Sequence, residues 1–120
     1  MKKLTCALLL VCISLLLAGC LGPKPVVQGY TVQPPQAGSG EPYSVEVVLA
    51  NSGPGGGQVV LEVELLNKKT GEIIAQEMQE VELAKDETLR VQVDLTLPES
   101  LKDIAPQDVE AHVDAHYPIQ

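Results

Sequence analysis

The hydrophobic pattern of this chain changes character once. Leu4 to Leu17 is an almost unbroken apolar stretch, whereas from residue 43 onward apolar and polar residues alternate. Tyr43, Val45, Val47 and Leu49 fall on one side of a strand, and Asn51-Ser52-Gly53 ends it. Val59, Leu61, Val63 and Leu65 form the next apolar row, with Glu62 and Glu64 between them. Leu89, Val91, Val93, Leu95 and Leu97 alternate with Arg90, Gln92, Asp94 and Thr96. A last row, Val109, Ala111, Val113, Ala115 and Tyr117, sets Glu110, His112, Asp114 and His116 on the opposite face. Period two sustained over several short segments predicts a half-buried antiparallel sheet. An earlier strand over 26–32 closes at Pro34-Pro35, and Lys68-Lys69-Thr70-Gly71 predicts a hairpin turn.

Two segments are less regular. Ile74, Met78 and Val81 have helical spacing, but Ile73, Ala75, Val81 and Leu83 fit a strand with an irregular middle. The hairpin before and the strand after favour a bulged strand over a helix. Residues 98–106 cross between strands, with room for one helical turn at 100–104, and Gly38, Ser39 and Gly40 mark a loop over 36–42.

Six or seven short strands in about 100 residues predict an all-β fold, a single immunoglobulin-like antiparallel β-sandwich. The antibody signature of a cysteine pair around a tryptophan is absent. Gly40-Glu41-Pro42-Tyr43-Ser44-Val45, Leu49-Ala50-Asn51-Ser52-Gly53, Leu66 to Glu72 and Val81 to Thr88 carry a resemblance. Together with the strand ending at Gln33-Pro34, over residues 26–117, they resemble bacterial and archaeal cell-surface Ig-like domains of the CARDB and FxLYD types. That resemblance implies a spacer or binding module without catalysis.

The apolar start has its own chemistry. Lys2 and Lys3 precede it, and Leu17-Ala18-Gly19-Cys20 ends it with small residues beside a cysteine, a lipobox. The apolar stretch is shorter than the roughly 20 residues that span a bilayer, which favours a cleaved signal over a transmembrane helix. The chain thus looks like a bacterial lipoprotein precursor. The expected organisation is a signal peptide over 1–19, lipidated Cys20 and a Pro-rich tether over 20–25, and a sandwich over 26–120. Cleavage falls between Gly19 and Cys20, and diacylglycerol and acyl chains on Cys20 are the only covalent group expected, with no other cofactor. Several acyl chains hold far more firmly than the marginal binding of one. By resemblance to known sorting rules, Leu21 after the cysteine does not retain the protein in an inner membrane. The expected location is the cell membrane or outer membrane, lipid-anchored, with the domain facing periplasm or exterior.

Cleavage removes Cys6 and Cys12, leaving no possible internal disulfide, so the apolar core alone must stabilise the domain. The formal net charge of −8 becomes more negative when Lys2 and Lys3 leave with the signal. An acidic domain is repelled by nucleic acid and anionic headgroups. The expected partners are therefore the membrane, through the lipid, and an extracytoplasmic protein.

His112, Asp114 and His116 are the candidate metal ligands. Residues at i, i+2 and i+4 of a strand share a face, and imidazole with carboxylate suits Zn²⁺, Cu²⁺ or Ni²⁺. Neighbours on one face lie about 6.6–6.8 Å apart, so a second strand has to contribute to a shared ion. Catalysis is not expected. Ser39, Ser44, Ser52 and Ser100 lie in no nucleophile motif, and Gly53-Pro54-Gly55-Gly56-Gly57 lacks the Lys-Ser/Thr and helix of a phosphate loop. That segment is expected to be a flexible loop. Asp86-Glu87 is too sparse for an EF-hand, and three tyrosines without Trp or Phe offer little for stacking on sugars.

Overall fold

The computed structural model describes residues 22–36 and 39–118. The signal peptide, Cys20 and Leu21 lie outside the described residues, as does Gly38 of the predicted loop. Six strands form: β1 (Pro25–Gln33), β2 (Tyr43–Asn51), β3 (Gly57–Asn67), β4 (Ile73–Leu83), β5 (Thr88–Leu95) and β6 (Val109–His116). They make two three-stranded sheets, one ordered β1-β2-β5 and the other β4-β3-β6. Every pairing is antiparallel. The chain folds as an immunoglobulin-like β-sandwich.

Alternation builds the core. Tyr43, Val45, Val47 and Leu49 of β2 and Val59, Leu61, Val63 and Leu65 of β3 are buried between the sheets, with Val91, Val93 and Leu95 of β5. The two central strands contribute most, because each has a paired neighbour on both sides. On β6 the inward row is less well covered: Ala111 is buried, but Val109, Val113 and Ala115 are half-buried and Tyr117 is 41% exposed.

β4 is the predicted bulged strand. Leu65 and Leu66 of β3 pair with Ala75 and Ile73, so Ile74 is the extra residue. The bulge shifts the parity of the strand: Ile74 is 8% exposed while Ile73, expected inside, is 54% exposed. Gln76 to Glu80 are then exposed on both faces. The 98–108 crossover holds two single 3-10 turns, Glu99–Leu101 and Pro106–Asp108. In the β3–β4 hairpin, Gly71 donates its N–H to the Asn67 carbonyl at 2.7 Å and adopts φ 77°, a conformation that favours glycine.

One end of the sandwich is tied by a single side chain. Asn51 is the buried polar residue of the core, 5% exposed among the described residues. Its Oδ1 accepts from the Lys24 N–H at 3.0 Å and the Gly53 N–H at 2.9 Å. Its Nδ2 donates to the Gly55 carbonyl at 2.9 Å and the Ala84 carbonyl at 3.1 Å. A side-chain amide with two donors and an acceptor oxygen is thereby fully used. It joins the segment before β1, the β2–β3 loop and the β4–β5 turn.

Residues 22–25, read in the sequence as an extended tether, are consequently docked. Pro23 is buried, and Ser52 donates its N–H to the Lys24 carbonyl at 3.0 Å. A Cβ on Gly53 would lie 2.6 Å from both the Gly22 carbonyl oxygen and the Lys24 nitrogen. Only glycine permits that approach. The glycine-rich segment is pinned, not loose.

Candidate functional site

The outer face of the β4-β3-β6 sheet gathers the chemically interesting residues. β3 turns Val60, Glu62 and Glu64 outward because Leu61, Val63 and Leu65 are in the core. β6 turns Glu110, His112, Asp114 and His116 outward by the same alternation. Register then decides who meets whom: Glu62 is opposite Asp114, Glu64 opposite His112, and Val60 opposite His116. Across the other side of β3, Glu62 is opposite Met78, Val60 opposite Glu80, and Glu64 opposite Gln76.

The two histidines lean toward different carboxylates. His112 Nε2 lies 3.8 Å from Glu110 Oε1, and His116 Nδ1 lies 3.6 Å from Asp114 Oδ2. The neighbouring strand contributes Glu62: one carboxylate oxygen each of Glu62 and Asp114 and one imidazole nitrogen of His116 lie within 4.8 Å of one another. His112 is outside that group. It lines, with Tyr30, Glu62, Glu64, Val113 and Asp114, an open groove of about 520 Å³. Gln76 Nε2 donates to Glu62 Oε1 at 2.9 Å and holds that carboxylate from the β4 side.

The electrostatics of this face are one-sided. Glu62, Glu64, Glu80, Glu82, Glu110 and Asp114 occupy it, and among the described residues no lysine or arginine does. Arg90 is committed to Glu46 on the other sheet at 2.8 Å, and Lys69 approaches Asp108 at 3.4 Å near the β3–β4 hairpin. The face is therefore suited to a cation, and its imidazoles add a preference for ions that take nitrogen.

Other candidates resolve into local structure. Ser39 Oγ accepts from the Glu41 N–H, and Ser52 Oγ lies 3.4 Å from the Lys24 carbonyl oxygen. Neither is placed beside a base. Tyr30 is 47% exposed, and its hydroxyl crosses the open side of the sandwich to donate to the Ala111 carbonyl at 3.0 Å. Tyr43 is buried, and desolvation pushes its phenol above the usual value of 10.0. Tyr117 packs against Gly22. Sequence reading missed Glu62 as a partner of Asp114 and His116. Its only signal was the inward-outward alternation of β3, and without the register that alternation names no partner.

Fold and face define an Ig-like β-sandwich module carrying an acidic, histidine-bearing sheet face. No family model matches the chain, and no curated protein does. Among solved structures, it is similar to a glycosyl hydrolase family 2 member from Bacteroides cellulosilyticus. That likeness has a TM-score of 0.50 and 22% identity, and covers 79% of this chain and 15% of that one. It is also similar to DesR, a β-glucosidase from Streptomyces venezuelae determined with D-glucose, at TM-score 0.50 and 16% identity, again over 79% and 15%. The chain thus spans about 15% of the length of these matched chains. At such identities the likeness shows the fold alone.

Proposed function

We propose that this is a lipid-anchored extracytoplasmic lipoprotein, held through Cys20, whose Ig-like domain serves as a non-enzymatic binding or adaptor module. The observation that carries the reading is the docking of residues 22–25 onto the sandwich by Asn51 and Gly53. Only Leu21 separates Cys20 from the first docked residue, so an acylated Cys20 fixes the end of the domain bearing the β2–β3 loop and the β4–β5 turn close to the bilayer. A rigid sandwich so placed presents its side edges, not a swinging head, to neighbouring proteins.

β6 is the edge best suited to receive an added strand. β1 is broken by a register shift between Val27 and Gly29 and begins at Pro25, and β4 is bulged and, over residues 76–80, exposed on both faces with four polar residues of five. Such features discourage strand addition. β5 is regular, but its inward Val91, Val93 and Leu95 are already covered. β6 is regular in register and keeps Val109, Val113 and Ala115 half-exposed; its Ala111 carbonyl is already taken by the Tyr30 hydroxyl, so an added strand pairs along residues 113–116. An extended partner segment there gains main-chain hydrogen bonds and covers apolar surface together.

The test is crosslinking on intact cells followed by mass spectrometry, with a photoreactive residue at position 115 on β6 or, separately, at position 92 on β5. Cys20→Ala controls for location. The reading expects one reproducible partner from position 115 that is lost with Cys20→Ala. Abundant neighbours alone, recovered equally from both positions and with Cys20→Ala, overturn it.

A further inference from the structure

We infer that Glu62, Asp114 and His116 form a binding site for a divalent transition-metal ion of the Zn²⁺ or Cu²⁺ class, bridging β3 and β6. The inference does not depend on the lipid anchor. It stands on three-dimensional placement: one ligand atom from each residue lies within 4.8 Å of the others, and His116 Nδ1 is already 3.6 Å from Asp114 Oδ2. Metal–ligand bonds of about 2.0–2.2 Å put donor atoms in a tetrahedral shell roughly 3.3–3.6 Å apart. The set therefore has to close by at most about 1.2–1.5 Å, and the solvent-exposed Asp114 and His116 have rotamer freedom to do so.

Two further features favour occupancy. The site sits on a sheet face on which the three strands carry six carboxylates and no lysine or arginine among the described residues, so a dication meets no competing positive charge there. Gln76 Nε2 holds Glu62 Oε1 at 2.9 Å, orienting the carboxylate from behind as outer-shell partners of metal ligands do. The ligand chemistry sets the class of ion. Two carboxylates alone suit Mg²⁺ or Ca²⁺, whereas the imidazole shifts preference toward Zn²⁺ and Cu²⁺. Three protein ligands leave the remaining positions to water, so binding is reversible and open to solvent.

The geometry also separates this site from the one that strand spacing alone suggests. His112 is opposite Glu64 and leans toward Glu110, on the far side of Asp114 from His116. It is not a ligand of this ion.

The experiment is titration of the full chain, purified in detergent without a histidine tag and with any free thiol of Cys6, Cys12 and Cys20 alkylated, with Zn²⁺ and with Cu²⁺, followed by calorimetry and by electron paramagnetic resonance for copper. Mg²⁺ measures the response to charge screening alone. One ion per chain is expected, with copper hyperfine structure from a single imidazole nitrogen. Glu62→Gln and His116→Ala should each weaken binding at least tenfold, while His112→Ala leaves it within twofold. Circular dichroism of each variant checks that the sandwich is retained. A Zn²⁺ response no stronger than that to Mg²⁺ overturns the site. Two coordinated nitrogens, or an equal loss on His112→Ala and His116→Ala, overturn the ligand assignment.

Discussion

Asn51→Ala tests how the domain holds its first residues. The substitution removes four hydrogen bonds of 2.9–3.1 Å, two accepted from the Lys24 and Gly53 N–H groups and two donated to the Gly55 and Ala84 carbonyls. A hydrogen bond contributes about 0.5–1.5 kcal/mol net, and more is lost when a buried partner is left unsatisfied. The Gly53 N–H is buried, while the other partners retain some access to water, so the expected total is about 2–4 kcal/mol. That is a large share of the roughly 5–15 kcal/mol by which domains are stable. Urea unfolding followed by circular dichroism reads it directly: with a slope of about 1–1.5 kcal/mol per molar, the midpoint falls by roughly 1.3–4 M. Asn51→Asp keeps both acceptor contacts but aims a carboxylate oxygen at two carbonyls, so it should cost at least as much as alanine. Amide hydrogen exchange at Lys24 and Gly53 should accelerate in both variants. A midpoint shift below about 0.5 M for alanine means that water replaces these bonds freely, and the clamp as described is refuted.

Three other perturbations probe separate links. Gly53→Ala places a Cβ 2.6 Å from the Gly22 oxygen and the Lys24 nitrogen, so the Lys24 and Ser52 amides should exchange with solvent deuterium faster in this variant than in the parent. Ile74→Ala should cost about 2–5 kcal/mol and Ile73→Ala less than about 0.5 kcal/mol in urea unfolding, because the bulge buries the first and exposes the second. The raised phenol of Tyr43 gives an alkaline limit. A folded-state value above the unfolded one near 10 means its contribution is complete below about pH 10 and is lost as pH rises toward the folded value. Tyr43→Phe should flatten the fall in melting temperature between about pH 10 and 12 relative to the parent.

The strands of this sandwich are legible in the sequence wherever one face is buried. The rows of β2, β3 and β5 alternate cleanly because each has a core side and a solvent side, and the structure places them where that period requires. β4 shows where the reading reaches its limit. A single inserted residue reverses inward and outward, so Ile73 was expected inside where Ile74 lies, although the bulge itself was expected. Residues 22–25 resisted for another reason. Two prolines read as extended backbone whether or not the segment is docked, and the docking depends on an asparagine 27 positions away from Lys24. Turn chemistry assigned Asn51 to a strand end, correctly, but nothing local in Asn51-Ser52-Gly53 records that its amide serves three segments.

The histidine row illustrates the same boundary between local and long-range information. Alternation alone places His112, Asp114 and His116 on one face, and the structure keeps them there. What alternation cannot supply is the offset between β3 and β6, on which the identity of the third ligand depends. Sliding the register by two residues would leave every side chain on its face and bring Glu64, not Glu62, opposite Asp114. That offset is fixed by the core, where Val63 is opposite Val113 and Leu65 opposite Ala111, so the buried row of β6 dictates which carboxylate its outward row meets. The proposed ion and the proposed strand partner accordingly use different parts of β6. The ion takes outward side chains, and the partner takes backbone groups on the free edge and the inward apolar row. Occupancy of one leaves the groups needed by the other available, and a strand laid beside Val113 and Ala115 would shield His116 and Asp114 from solvent on one side. Zn²⁺ should therefore leave crosslinking from position 115 intact, whereas loss of crosslinking on adding Zn²⁺ would mean that the partner's contacts extend over the outer face.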